Sequence, residues 1–208
     1  MNKDEIFELV SEYYDFTVST YGPTPKGVDW RDHSSQMRRL ENLLEIVDTD
    51  KSFSILDYGC GYGALLDLLN QNYPHFTYFG TDLSKNMMNL LRSRLIDQEN
   101  VFAIDLEQAR KKEYDFVLAS GVFNIMFSGY KEWEEYVYHS LDVLFQLSRM
   151  GYATNFLSSY SDESYQKANL YYMDPEKVLK YVLQNHSKKV RVIHEADLYD
   201  FSVLVYHL

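Results

Sequence analysis

The chain has 208 residues, 46% of them apolar, and a formal net charge of −11, a length and composition that suit one α/β domain with a buried core. An acidic chain whose basic groups, Arg110 to Lys112 and Lys188 to Arg191, are short disfavours sequence-independent nucleic-acid binding. A lone cysteine, Cys60, excludes an internal disulfide or a cysteine-rich metal site, and no stretch approaches the roughly 18 apolar residues of a membrane span.

The charged start, Met1 to Glu5, lacks the apolar run of a signal peptide, so a cytoplasmic protein is expected. The histidines, His33, His75, His139, His186, His194 and His207, are scattered without a helical i, i+4 pair, so no metal is expected. Tyrosine is frequent, with 19 residues; most should be half-buried packing rings with wet hydroxyls, and a few could line a pocket for an aromatic or polar small molecule.

In chain order, Ile6, Phe7, Val10, Tyr13 and Tyr14 share one helical face and predict an amphipathic helix. Gly22, Pro23, Pro25 and Gly27 make Tyr21 to Trp30 a loop, and Met37, Leu40, Leu43, Leu44 and Val47 mark a second amphipathic helix. Phe53 to Tyr58 reads as a short apolar strand, Gly59 to Gly63 as a glycine-rich turn, and Ala64 to Leu69 as the start of a helix. A second strand follows at Phe76 to Gly80, with Ser84 as N-cap for a helix through Met88, Leu91 and Leu95. Val101 to Ile104 predicts a short third strand, and Tyr114 to Ala119 a fourth that is apolar enough to be covered on both faces. Trp133, Val137, Leu141, Leu144 and Leu147 form a helical stripe, and Tyr152 to Leu157 is a fifth strand. Asp174 and Pro175 open a helix running to about Asn185. Val190 to His194 and Phe201 to Tyr206 are joined too closely to be parallel, so they predict an antiparallel hairpin. The whole pattern is a single α/β domain over residues 1–208, a mostly parallel sheet with helices on both faces.

The chemistry concentrates at Ile55-Leu56-Asp57-Tyr58-Gly59-Cys60-Gly61-Tyr62-Gly63-Ala64, where a strand ends and a helix begins. Open α/β sheets bind ligands at that edge, and glycines let the backbone approach closely. Asp82 ends the second strand, where a carboxylate can accept from both hydroxyls of a ribose. Gly59, Gly61, Ala64 and Asp82 also satisfy the dinucleotide spacing, so the glycine turn alone does not choose a cofactor. Asp57 discriminates: a carboxylate two residues before the first glycine would repel a pyrophosphate but favours a sulfonium or ammonium cation.

Ile55 to Gly63, with Asp82 and Asp105, resembles the motif series of class I S-adenosylmethionine-dependent methyltransferases, over roughly Phe53 to Leu157 with the terminal hairpin extending the match. The resemblance implies a Rossmann-like seven-stranded sheet of order 3-2-1-4-5-7-6 with strand 7 antiparallel, a core over 53–208 and an N-terminal helical cap or lid over 1–48. It implies S-adenosyl-L-methionine as cofactor, with Asp57, Gly59, Cys60, Gly61 and Gly63 under its methionine part and Asp82 on the ribose hydroxyls. Leu83 would touch the adenine, Asp105 would accept from the adenine amino group, Ser120 with Gly121 would lie near the methionine moiety, and Leu106 would also contact the cofactor. The loop Gly22 to Trp30 before Ser35-Gln36-Met37-Arg38-Arg39 resembles a group of bacterial methyltransferases of largely unassigned substrate. That likeness implies that Trp30, Gln36 and Arg39 cover the cofactor's amino-acid end, with Arg39 paired to its carboxylate.

Asn124, just after the fourth strand, and Tyr171 and Tyr172, just before the Asp174 helix, are the candidate acceptor-site residues. Met1 to Trp30 is expected to fold over the cofactor and shape the acceptor pocket. Ser120-Gly121-Val122-Phe123 stands where a base-directed amino-methyltransferase carries an Asn-Pro-Pro-Tyr-type signature, so a small-molecule acceptor, possibly of sugar type, is expected. No residue stands out as catalytic base. An NAD-dependent oxidoreductase and a non-catalytic cofactor-binding module are the alternatives.

Overall fold

The computed structural model describes residues 3–48, 50–96, 98–195 and 199–208; Met1 and Asn2 of the expected lid lie outside them. The strands are β1 (Phe53–Tyr58), β2 (Phe76–Thr81), β3 (Val101–Ala103), β4 (Tyr114–Ala119), β5 (Ser148–Ser158), β6 (Tyr172–Met173), β7 (Lys189–Glu195) and β8 (Asp200–Tyr206). They form one sheet in the order β3-β2-β1-β4-β5-β8-β7, with β6 added beside the end of β5. Pairing is parallel from β3 through β5, and β8 is antiparallel to both β5 and β7. The expected strand order is therefore the observed one. The two-residue β6, pairing with Leu157 and Ser158, is an addition too short to leave a periodic signal in the sequence.

The helices are α1 (Lys3–Tyr21), α2 (His33–Leu44), α3 (Ala64–Asn72), α4 (Lys85–Arg94), α5 (Leu106–Ala109), α6 (Tyr130–Leu147) and α7 (Pro175–Asn185). The caps read from the sequence are in place: Ser84 accepts from the Met87 N–H at 3.1 Å, and Asp174 accepts from the Glu176 N–H at 2.8 Å with Pro175 at the first turn. Successive residues of β1 and β4 face opposite ways. Ile55, Phe116 and Leu118 join Leu43, Leu65, Leu69 and Leu91 on one side of the sheet. Leu56, Val117 and Ala119 join Trp133, Val137, Leu141, Leu144 and Val182 on the other. Both faces are thus dry, which is why these strands read as unbroken apolar runs.

Two features of this packing set up the functional edge of the sheet. First, α1 crosses the end of β2 and docks on the start of α4: the Asp15 carboxylate accepts from the Ser84 hydroxyl and from the Asn86 N–H at 3.0 Å, and the Ser11 hydroxyl donates to the Leu83 carbonyl at 3.0 Å. The short 3-10 turn Pro25–Val28 is tied beneath it by the Thr17 hydroxyl on the Gly27 carbonyl at 2.9 Å. Second, β8 runs against its neighbours, so its first residue, Asp200, lies beside the last residues of β5.

Candidate active site

The carboxyl ends of β1, β2 and β4 open into a cleft of about 950 Å³, its mouth included. Its floor is Asp57 to Tyr62, its flanks Thr81 to Leu83 and Ser120 to Val122, and its roof Val10, Tyr14, Val28 and Trp30. Gly59 sits at φ 78° where a Cβ would come within 2.3 Å of the Val122 side chain, so the turn needs glycine there for both conformation and space.

Asp82 braces this turn from the next strand. One carboxylate oxygen accepts from the Gly61 N–H at 2.8 Å and the other from the Ser84 N–H at 2.8 Å. The Leu83 N–H also bonds this carboxylate, and with about four acceptor positions the group still has room to accept from a ligand. Burial pushes the acid upward from its usual range, while those N–H groups pull the other way. Asp57 is 3% exposed and accepts from the Tyr78 hydroxyl at 2.8 Å. Burial pushes it up to about 7, the Tyr78 bond opposes this, and the Asp82 charge adds to it. The Cys60 thiol is buried and pushed up by burial and by both carboxylates, which makes it a small turn residue rather than a nucleophile. Tyr62 and Gln36 tie turn to cap, the phenol donating to Gln36 Oε1 at 2.8 Å.

The cleft also holds orphaned polar atoms. Thr81 Oγ1 and Ser120 Oγ are buried without a partner, and both residues line it. Such groups are costly unless a ligand or water satisfies them, and they suit a cofactor with several hydroxyl and amino groups. Asp57, Gly59, Cys60, Gly61, Asp82, Leu83, Leu106, Ser120, Gln36 and Trp30, all singled out in the sequence, line this cleft together, and Gly63 does not. Gly63 itself caps α3 at φ 87°.

Asp105, Arg39 and Tyr171 also stand outside the cleft lining, Arg39 on the second cavity described below. Asp105 is exposed, outside the cleft lining, and caps α5 by accepting from the Gln108 N–H at 2.7 Å. The expected strand-end carboxylate becomes a helix cap because β3 stops at Ala103. Arg39 is engaged within the protein: its Nε donates to Asp200 and its Nη1 to the Ser35 carbonyl at 2.8 Å. The pairing comes from the reversal of β8, 161 positions away. Tyr171 is 1% exposed in the core, with its hydroxyl on Met173 Sδ. It lies one residue out of phase with the cavity face, as the alternation through Tyr171, Tyr172 and Met173 requires.

Tyr172 and Asn124 instead border a second, wider cavity with Tyr13, Asp29, Tyr165, Lys167 and Tyr199. Tyr14, Val28, Trp30 and Gly121 line both spaces and form the wall where they meet. The Asn124 Oδ1 atom is buried without a partner. Sequence reasoning placed Tyr14 on the apolar face of its helix but missed its site role; a packing tyrosine and a pocket tyrosine carry the same signal. Thr81, Met87 and Tyr136, which also line the cleft, gave none. Among the described residues no His/Cys/Asp/Glu group could hold a metal ion, and no helix is long and apolar enough to cross a membrane.

Comparison with known proteins bears on this geometry. Residues 56–144 match a family model described as a methyltransferase domain. The chain is 37% identical over 163 residues to Rv1506c of Mycobacterium tuberculosis, named as a candidate methyltransferase, covering 78% of this chain and 98% of that one. It is 32% identical over 92 residues to the malonyl-[acyl-carrier protein] O-methyltransferase of Acetivibrio thermocellus, over 42% of this chain and 32% of that one. Among solved structures, the magnesium protoporphyrin IX methyltransferase of Synechocystis PCC 6803 with bound S-adenosylhomocysteine superposes with a TM-score of 0.69 at 14% identity, over 97% of this chain and 99% of that one. The chain belongs to the class I S-adenosylmethionine-dependent methyltransferases. It is an enzyme of methyl transfer, and the oxidoreductase and pure binding-module alternatives fall away.

Proposed function

We propose that the chain moves the methyl group to a small polyhydroxylated or sugar-type acceptor held in the second cavity. The observation that carries this is the shared wall: a cofactor in the cleft and an acceptor in the cavity would meet across Tyr14, Val28, Trp30 and Gly121. Tyr13, Tyr165, Tyr172 and Tyr199 give that cavity flat rings with hydroxyl edges, which suit a sugar's C–H face and its polar rim. The orphaned Asn124 Oδ1 offers an acceptor for a hydroxyl or amino donor. Tyr165, Tyr172 and Tyr199 lie beyond the residues 56–144 that match the methyltransferase family model.

Within this reading Asp82 holds the ribose hydroxyls with its remaining acceptor capacity. Leu83 and Leu106 flank the adenine. Asp57 carries the charge complementary to the cofactor's ammonium group, and Ser120, Thr81 and Gln36 satisfy its polar atoms. The cofactor supplies an activated sulfonium methyl. The protein's tasks are alignment and exclusion of water, which the α1 roof and the aromatic wall perform. Asp105 is left as a rim group beside the adenine end.

The experiment has two stages. Calorimetry should show S-adenosylmethionine and S-adenosylhomocysteine binding and NAD not binding. A panel of sugar, phenol, carboxylate and amine acceptors with tritium-labelled S-adenosylmethionine then reads the acceptor. Label passing to a sugar hydroxyl supports the reading; transfer confined to carboxylates or amines sinks the sugar assignment and leaves the methyltransferase intact.

A further inference from the structure

Trp30 is the largest side chain common to both spaces, and a closed circuit of contacts holds it. The Gly121 N–H donates to Asn155 Oδ1 at 2.8 Å, and Asn155 Nδ2 donates to Asp200 Oδ2 at 3.3 Å. Asp200 accepts from Arg39 Nε, and the Arg39 guanidinium lies 4.7 Å from the centroid of the Trp30 ring. Trp30 in turn rests on Gly121, where φ is 74° and a Cβ would come within 2.6 Å of the indole. The circuit joins the cap loop, α2, the turn after β4, the end of β5 and the start of β8. Asn155 is fully buried, and the Arg39 and Asp200 side chains are 9% and 5% exposed, so the polar links are shielded from water.

A buried ion pair is weak evidence for stability, since an apolar pair of equal volume often does as well. What this pair does here is fix an indole against a bare backbone at the boundary between two cavities. We propose that Trp30 is the positioning wall at the point where the methyl group crosses, and that Arg39, Asp200 and Asn155 hold it against Gly121. This rests on the placement of cofactor and acceptor given above. Arg39 thus acts through Trp30 and not on the cofactor carboxylate.

The consequence is spectroscopic. Trp133 and Trp30 are the two tryptophans of the chain; Trp133→Phe leaves Trp30 as sole reporter. S-adenosylmethionine carries a sulfonium cation and a methyl group where S-adenosylhomocysteine has a neutral sulfide. If Trp30 lines the crossing point, its emission maximum differs between the two complexes. Gly121→Ala, whose Cβ displaces the indole, and Asp200→Asn, which releases Arg39, should each erase that difference. Both should also raise acrylamide quenching of Trp30. Gly121→Ala leaves no buried charge unpaired, so it decides the matter if Asp200→Asn fails to fold. Equal emission with both ligands bound overturns the placement of Trp30. A ligand-dependent difference that survives Gly121→Ala overturns the holding role. Failure of either ligand to bind the Trp133→Phe chain, with the unsubstituted protein also silent in calorimetry, instead condemns the cofactor reading on which the proposal stands.

Discussion

The cofactor cleft and the second cavity lie side by side, share a wall, and are built in opposite ways. The cleft floor is one continuous stretch, Asp57 to Tyr62, completed by the end of the neighbouring strand β2. The second cavity draws on the cap loop, α2, the turn after β4, the arm between β5 and β6, and the residue before β8. A site made of contiguous residues keeps its chemistry as a spacing, so it can be shared between proteins that diverge elsewhere. A site made from loops is set by how remote segments pack, and loops are where binding differences accumulate on a common scaffold. The cleft is thus written in local spacing and the second cavity in remote packing.

The largest expected effect tests whether Arg39 belongs to the framework or to the cleft. Arg39→Ala leaves Asp200 buried beside Asn155 without its cation, a loss of about 3–5 kcal/mol in urea unfolding. A variant of native stability with weakened cofactor binding would return Arg39 to the cofactor's carboxylate.

Next comes Asp82→Ala. It removes the ribose acceptor and also orphans the Gly61 and Ser84 N–H groups. Affinity for S-adenosylhomocysteine should fall by about 2–4 kcal/mol, and stability by about 1–3 kcal/mol. Calorimetry beside thermal melts separates the two losses. Binding within twofold of the native protein would remove Asp82 from the ribose.

Asp57 gives the pH signature of the cleft. Its acid is raised from 3.8 to about 7 by burial, so between those values the folded chain keeps a proton that the unfolded chain releases. Stability contributed at this site therefore falls as pH rises from about 4 to 7 and levels above. Asp57→Asn should flatten that slope in melts recorded across the window. A bound ammonium group favours the ionised acid, so cofactor binding should strengthen from pH 5 to 8 with proton release. Titrations in buffers of different ionisation enthalpy would expose an absent proton as heats that do not vary.

The smallest effect on the cleft should come from the cavity. Asn124→Ala and Tyr172→Phe are expected to change cofactor affinity by no more than about 0.5 kcal/mol, while lowering turnover once an acceptor is in hand. Equal loss of both would mean the two spaces are not separate sites.

Much of this molecule is written in local pattern. Period and punctuation placed the strands, the Ser84 and Asp174 caps and the terminal hairpin, because each depends on residues within a few positions of one another. The glycine turn, Asp57 and Asp82 were legible for the same reason. Where the reading slipped, a remote or sub-pattern event intervened: β3 ended at Ala103 and turned Asp105 into a cap, and a two-residue β6 decided that Tyr172 and not Tyr171 reaches the cavity.

What the sequence determined by itself is the α/β order and the methyl-donor motif, since both follow from side-chain periodicity and short-range backbone geometry. Only the tertiary structure decided that Asp200, carried back by an antiparallel strand, would capture Arg39, and that Trp30 would settle on Gly121. Those contacts join residues far apart in the chain, and their energy exists only after the sheet has brought the partners together and taken them out of water.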